Sequence, residues 1–246
     1  MESHPSDGPV EIVLGIPGHW PEPDAIGQAI LSQSERLFFA GSMLIDSGTD
    51  STLQLDVADH DPQLQRAFEL SASTPHDPQL LKAIGSHTYA LYLIGAGGSL
   101  DAAQNMMSTA IELLDAGGLA VKVESSGLSH SAERWRELAE RRGVLALLES
   151  YVTLVRSEEQ FYTCGMHNLG VRDLAIPGHL SPEQAAIALQ GFSQYLLLQN
   201  PSLSDGDTFS PGPQFPTYRL VAEPCTLYPE GDLLYNPFGW WRLLPA

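Results

Sequence analysis

A chain of 246 residues is long enough to bury a substantial core as one large domain or two small ones, and its 43% apolar content excludes a disordered chain. With 30 acids against 12 Lys and Arg the formal net charge is -18, which excludes a basic stripe able to track phosphate backbones; neither nucleic acid nor an anionic membrane is an expected partner. No apolar run approaches the roughly 20 residues a membrane span needs, and the start Met1-Glu2-Ser3-His4-Pro5 shows no basic and apolar leader, so a soluble cytoplasmic protein is expected.

The charge is uneven. Residues 1–84 hold 13 acids and 3 bases, whereas residues 85–180 hold 11 and 7. Acidity serves solubility in the plain reading. In the sharper one an acidic N-terminal surface around Asp46, Asp50, Asp56 and Asp59 meets a basic protein partner, such as a toxin or a nuclease. The two cysteines, Cys164 and Cys225, lie far apart and suggest neither a disulfide framework nor a zinc site, as in a reducing compartment.

In chain order, residues 1–8 are polar and expected to fray. Val10–Ile16 reads as a buried strand closed by Gly15, Pro17 and Gly18. A helix follows from Asp24 with Ile26, Ala29 and Ile30 on one face. Arg36–Ala40, Met43–Asp46 and Thr52–Val57 read as short strands, the last alternating Leu53, Leu55, Val57 with Gln54 and Asp56. A local repeat then appears. His60-Asp61-Pro62-Gln63-Leu64 returns as His76-Asp77-Pro78-Gln79-Leu80, each copy placing Asp at a helix cap and Pro at the first helical position. Cap chemistry accounts for both copies better than metal ligation does.

His87–Ile94 is the next strand, closed by Gly95-Ala96-Gly97-Gly98. Ser99 caps a helix with the stripe Leu100, Ala103, Met107, Ala110, Ile111 and Leu114, and Gly117-Gly118 ends it. Leu119–Val123 is again strand. A glycine turn before a helix N-terminus can hold an anion, but this one has neither lysine nor a nucleotide-binding fingerprint and reads as a tight turn. A helix over Ser131–Arg142 mixes Arg134, Arg136, Arg141 and Arg142 with Glu133, Glu137 and Glu140 as surface pairs. Strands over Leu145–Val155 and Phe161–Met166 flank a hairpin turn at Ser157–Gln160. Ser181-Pro182-Glu183-Gln184 is a capping box opening a helix that ends at Asn200-Pro201. An ordered loop to Pro216, a strand over Tyr218–Ala222 and an aromatic tail with Tyr235, Phe238, Trp240 and Trp241 complete the chain. The tail is expected to pack back, so truncation before Tyr235 should not be tolerated. Together these elements predict an α+β protein with a mostly antiparallel sheet and flanking helices. It reads as two successive units of similar β-α-β order, an acidic part over 1–84 and a second part over 85–246, packed as one body.

The stretch Phe161-Tyr162-Thr163-Cys164-Gly165-Met166-His167-Asn168-Leu169-Gly170-Val171-Arg172-Asp173-Leu174 resembles the signature of a bacterial family, the domain of unknown function numbered 4261. Asp205-Gly206-Asp207-Thr208-Phe209 and Tyr235-Asn236-Pro237-Phe238-Gly239 are also similar, and the likeness is expected over residues 85–246. The resemblance implies an α+β fold and no particular reaction. Companions of secreted toxins among such relatives make an immunity role one of its implications.

For chemistry, Cys164 is the candidate nucleophile with His167 three residues on, and Glu124, Glu149 and Asp173 are candidate acid-base carboxylates. The more common roles for such residues are structural: a buried cysteine, and carboxylates at strand ends or exposed faces. No cofactor or metal site is expected. The sequence favours a non-enzymatic binding or accessory protein. A small-molecule enzyme with a pocket near Cys164, His167 and Glu124, or a structural oligomer subunit, are the alternatives. It leaves the oligomeric state open.

Overall fold

The computed structural model of the protein describes residues 10–246. The polar start over residues 1–8 and the leader motif sought in it lie outside the described residues, save that strand one begins just beyond. The elements run β1 (Glu11–Gly18), α1 (Pro23–Gln33), β2 (Leu37–Ala40), β3 (Met43–Asp46), β4 (Ser51–Asp59), α2 (Leu64–Ser71), α3 (Pro78–Gly85), β5 (Tyr89–Ala96), α4 (Leu100–Asp115), β6 (Ala120–Val123) and β7 (Leu128–Ser131). They continue with α5 (Ala132–Arg141), α6 (Val144–Tyr151), β8 (Thr153–Arg156), β9 (Gln160–Cys164), a 3-10 turn (Met166–Leu169), β10 (Asp173–Pro177), α7 (Pro182–Gln199), β11 (Thr208–Phe209), β12 (Tyr218–Glu223) and β13 (Trp240–Pro245).

There are two sheets. The first has seven strands in the order β2-β3-β4-β5-β1-β6-β7, all antiparallel. The second has six, β11-β12-β13-β10-β9-β8, antiparallel except where β13 lies parallel to β10. The α+β class and mostly antiparallel pairing expected from the sequence are what the chain adopts. Both sheets follow one plan. A central strand (β1 or β10) leads into a helix (α1 or α7), then a meander returns to lie beside that strand, and a hairpin covers its other side. Four meander strands bring β5 back antiparallel to β1. Three bring β13 back parallel to β10. The boundary expected at residue 84 falls in the last turn of α3, between the first-sheet strands β4 and β5.

One hydrophobic cluster runs from Ile12, Leu14 and Ile16 through α4, Trp135 and Tyr151 to Leu174, Phe192 and Leu220. Trp135 donates its indole N–H to Met107 O at 3.2 Å, and Tyr151 its hydroxyl to Ala103 O at 2.8 Å, so both aromatic rings satisfy their polar atoms against α4. Local capping follows the sequence. Ser99 accepts from Ala102 N at 3.1 Å, and Ser181 with Gln184 forms the full capping box.

Two expectations are corrected. Leu145–Tyr151 is helix, not strand, and β8 starts only at Thr153. Its buried residues Ala146, Leu147, Ser150 and Tyr151 recur at helical spacing, and a short apolar run of good helix formers does not reveal its period. The repeat copies differ. Asp77 caps α3 by accepting from Gln79 N, whereas Asp61 accepts from Gln63 N in a turn and α2 begins afterwards at Leu64. The aromatic tail does pack back on the body. It is a strand, β13, inserted between β12 and β10.

Candidate functional site

The signature residues connect β9 to β10 through the 3-10 turn. Gly165 has φ +108, and a Cβ there would lie 2.2 Å from Tyr151 O, so only glycine lets the turn press on α6. The glycine turn after β5 is occupied by this segment, since Gly98 N donates to Asn168 O at 3.1 Å. That amide is therefore not free for an anion.

Asp173 is the centre of the buried polar structure. Its Oδ1 accepts from Thr163 Oγ1 at 3.0 Å and from Met166 N at 3.2 Å, and its Oδ2 from Asn236 Nδ2 at 2.8 Å. Leu174 N donates to Thr163 Oγ1 at 2.8 Å, which leaves the threonine hydroxyl proton for Asp173. Asn236 also donates to Val171 O and accepts from Phe238 N. Burial without a counter-charge pushes the Asp173 carboxyl up to about 7, against the pull of its three donors. The geometry holds strands and a loop together; it aims no proton at a cleft.

Cys164 is 3% exposed and packs with Tyr162, Ala175 and Trp240. Burial pushes its thiol well above the ordinary range, with Asp173 adding to the shift. A thiol in that state is a poor nucleophile. Burial pushes His167 down to about 4, opposed only by the backbone of Leu233, and neither ring nitrogen makes a well-aligned hydrogen bond. Glu124 belongs to the other sheet. It ion-pairs with Lys122 and packs over Gly15, and Tyr92 lies beside it. Glu149 is on α6, where Arg134 and Arg141 hold it and pull its carboxyl below the usual range. The candidate acid-base residues are thus dispersed over both sheets and a helix.

The acidic residues divide. Asp46 is fully buried, 3.0 Å from Arg36 Nη2, and accepts from Thr109 Oγ1 at 3.1 Å. It ties β3 to α4 and offers nothing to a partner. Asp50, in the β3–β4 turn, and Asp59, at the end of β4, are exposed; Asp56 is half-buried. Asp56 lies on a face of the first sheet that the register defines, because directly paired residues point the same way. One rung reads Ala40–Met43–Gln54–Ile94–Val13 and the next Asp56–Tyr92–Gly15–Lys122. Helices α2 and α3 cover one end of this face through Leu64, Phe68 and Ile84 on Ala90 and Ala120. The other end is open. There Phe38, Met43 and Ile45 are 50%, 49% and 40% exposed, and Glu11, Asp56 and Glu124 share the face. Sequence reasoning missed these apolar residues; the signal was that 37–39 and 43–45 are apolar at every position, so on a strand one set has to face away from the core.

Among the described residues no three His, Cys, Asp or Glu side chains gather as metal ligands, and no helix is long and apolar enough to cross a membrane. The model of the family described as Domain of unknown function (DUF4261) matches residues 162–222. The match runs from within β9 through most of β12. It is narrower than the 85–246 expected, and it leaves out Tyr235–Gly239. No curated protein and no solved structure matches the chain.

Proposed function

We propose that the protein is a non-enzymatic binding or accessory protein, of the immunity type, which meets a basic partner across the open face of the first sheet. The observation that carries this is the exposure of Phe38, Met43 and Ile45 together on a face that also bears Glu11, Asp56 and Glu124. Contiguous apolar exposure rimmed by charge is the usual mark of an interaction surface. The acids there have one basic neighbour, Lys122, already engaged by Glu124. A partner with arginines around apolar anchors would fit, and its association would weaken with salt. The buried, neutral condition of Cys164 and His167 favours this reading over the enzyme reading.

The test is site-specific photo-crosslinking from Phe38 and Met43, with Arg219 on the other sheet as control, in extracts of the source cells. The expected product is a basic protein captured from the two sheet positions alone, and less of it after E11Q and D56N are combined or after salt is added. Capture of acidic proteins, of a second copy of this chain, or capture indifferent to charge and salt would overturn the reading.

A further inference from the structure

A cleft of about 610 Å³ opens on the second sheet, bounded by the end of α7, the β12–β13 connection and the start of β10. Its walls include Trp241, Phe238, Tyr235 and Leu203, and Arg172 stands among them. The guanidinium lies 5.1 Å from the centre of the Trp241 ring. Nη1 reaches the carbonyls of Glu223 and Trp240 only at 3.4 and 3.5 Å, and no carboxylate of the described residues pairs with it. The nearby acids are engaged. Both oxygens of Glu223 take Arg242, and Glu230 takes the Tyr235 hydroxyl at 3.4 Å. In a chain with 30 acids and 12 bases, a partly buried arginine without a carboxylate is an expensive arrangement. Burial lowers the Arg172 pKa, which is the sign of that cost.

The frame around it is rigid. Asn236 fixes Val171, Asp173 and Phe238, and Gly239 N returns to Asn236 O at 3.0 Å. Gly239 has φ +83, and a Cβ there would meet Glu223 O at 2.4 Å and Arg172 Nη1 at 2.9 Å, so the glycine makes room for the guanidinium. The buried signature network thus positions a cationic fork beside aromatic walls, and that combination selects planar anions.

We infer that this cleft binds a small organic anion, a carboxylate or phosphate monoester carrying a flat apolar body, with Arg172 holding the anion and Trp241 and Phe238 the body. The site lies apart from the open face of the first sheet and goes beyond the proposed function. Its volume suits a ligand of that size.

Calorimetry on the full chain with benzoate and phenyl phosphate, against benzyl alcohol as the uncharged probe, tests it. At least one anion is expected to saturate on the order of 1 mM, with benzyl alcohol about tenfold weaker or worse. R172Q should lose about tenfold or more, R172K less, and R219Q, an exposed side chain of β12, nothing. Preference between the anions assigns the carboxylate or the phosphate. No saturation by either anion, equal binding of benzyl alcohol, or unchanged binding by R172Q would overturn the inference. If R172Q fails to fold, L203W decides: it fills the cleft, and binding should vanish. Retained binding in L203W would overturn the inference as well.

Discussion

Asn236 donates to Asp173 Oδ2 at 2.8 Å across 63 residues of chain, and this bond joins the loop before β13 to the first residue of β10. N236A removes a donor from a fully buried carboxyl and from Val171 O together. Destabilisation by about 2–3 kcal/mol is expected, seen as a lower urea midpoint with an unchanged slope. A change under about 0.5 kcal/mol would mean the loop is held by packing alone.

The pH dependence of stability has a definite sign. Asp173, raised to about 7, contributes stability that is full below its ordinary carboxylate value and is lost as pH rises through about 7. His130 and His167, lowered from 6.5 to about 4 by burial, contribute stability that is full above 6.5 and is lost as pH falls through about 4. Each group acts at up to about 1.4 kcal/mol per pH unit within its window. Two histidines outweigh one aspartate, so acidification from neutral to pH 4 should destabilise the protein. D173N should steepen that loss and H167Q should flatten it, as read from urea midpoints across the range.

Thiol chemistry separates the two cysteines. Cys225 is half-buried and should react first with a thiol reagent in the native protein. Cys164 should react only at the rate of unfolding, because burial keeps it protonated and covered. Two fast thiols would restore Cys164 as a candidate nucleophile.

Among the acids, one is structural. D46A leaves Arg36 beside an empty buried site and should cost about 3 kcal/mol or more in chemical denaturation. D56N and D59N should stay within about 0.5 kcal/mol. Equal effects would place Asp46 at the surface with the others.

Deleting residues 235–246 removes β13 and Asn236 together. It exposes the facing edges of β12 and β10 and uncovers Tyr162, Cys164 and Ala175, on which Trp240 packs. The shortened chain is expected in the insoluble fraction, with loss of near-ultraviolet dichroism in whatever remains soluble.

What was legible in the sequence was local chemistry. Ser99 and Ser181 announced helix starts because a cap is written within four residues. Alternation at Leu53 and Leu55 announced a half-buried strand. Non-local partnership was not written there. Asp46 meets Thr109 across 63 positions, and nothing near Asp46 marks it as interior. Leu145–Tyr151 failed for another reason: α6 packs among α4, α5, α7 and the 3-10 turn, so its apolar residues are not confined to one stripe. Arg172 stood inside the recognised signature, but its lack of a carboxylate became visible only once the chain was folded.

The placement of β13 also governs how the protein is made. Strands emerge from a ribosome in sequence order, yet the second sheet assembles as β11-β12-β13-β10-β9-β8. Until residues 240–245 clear the exit tunnel, β12 and β10 have no common neighbour. The first sheet can already be complete by then, since its last strand ends at Ser131. The nascent chain therefore passes through a period with one finished sheet and one gapped sheet, in which the β10 edge is open to chaperones, and to other nascent copies, before its own last strand closes it.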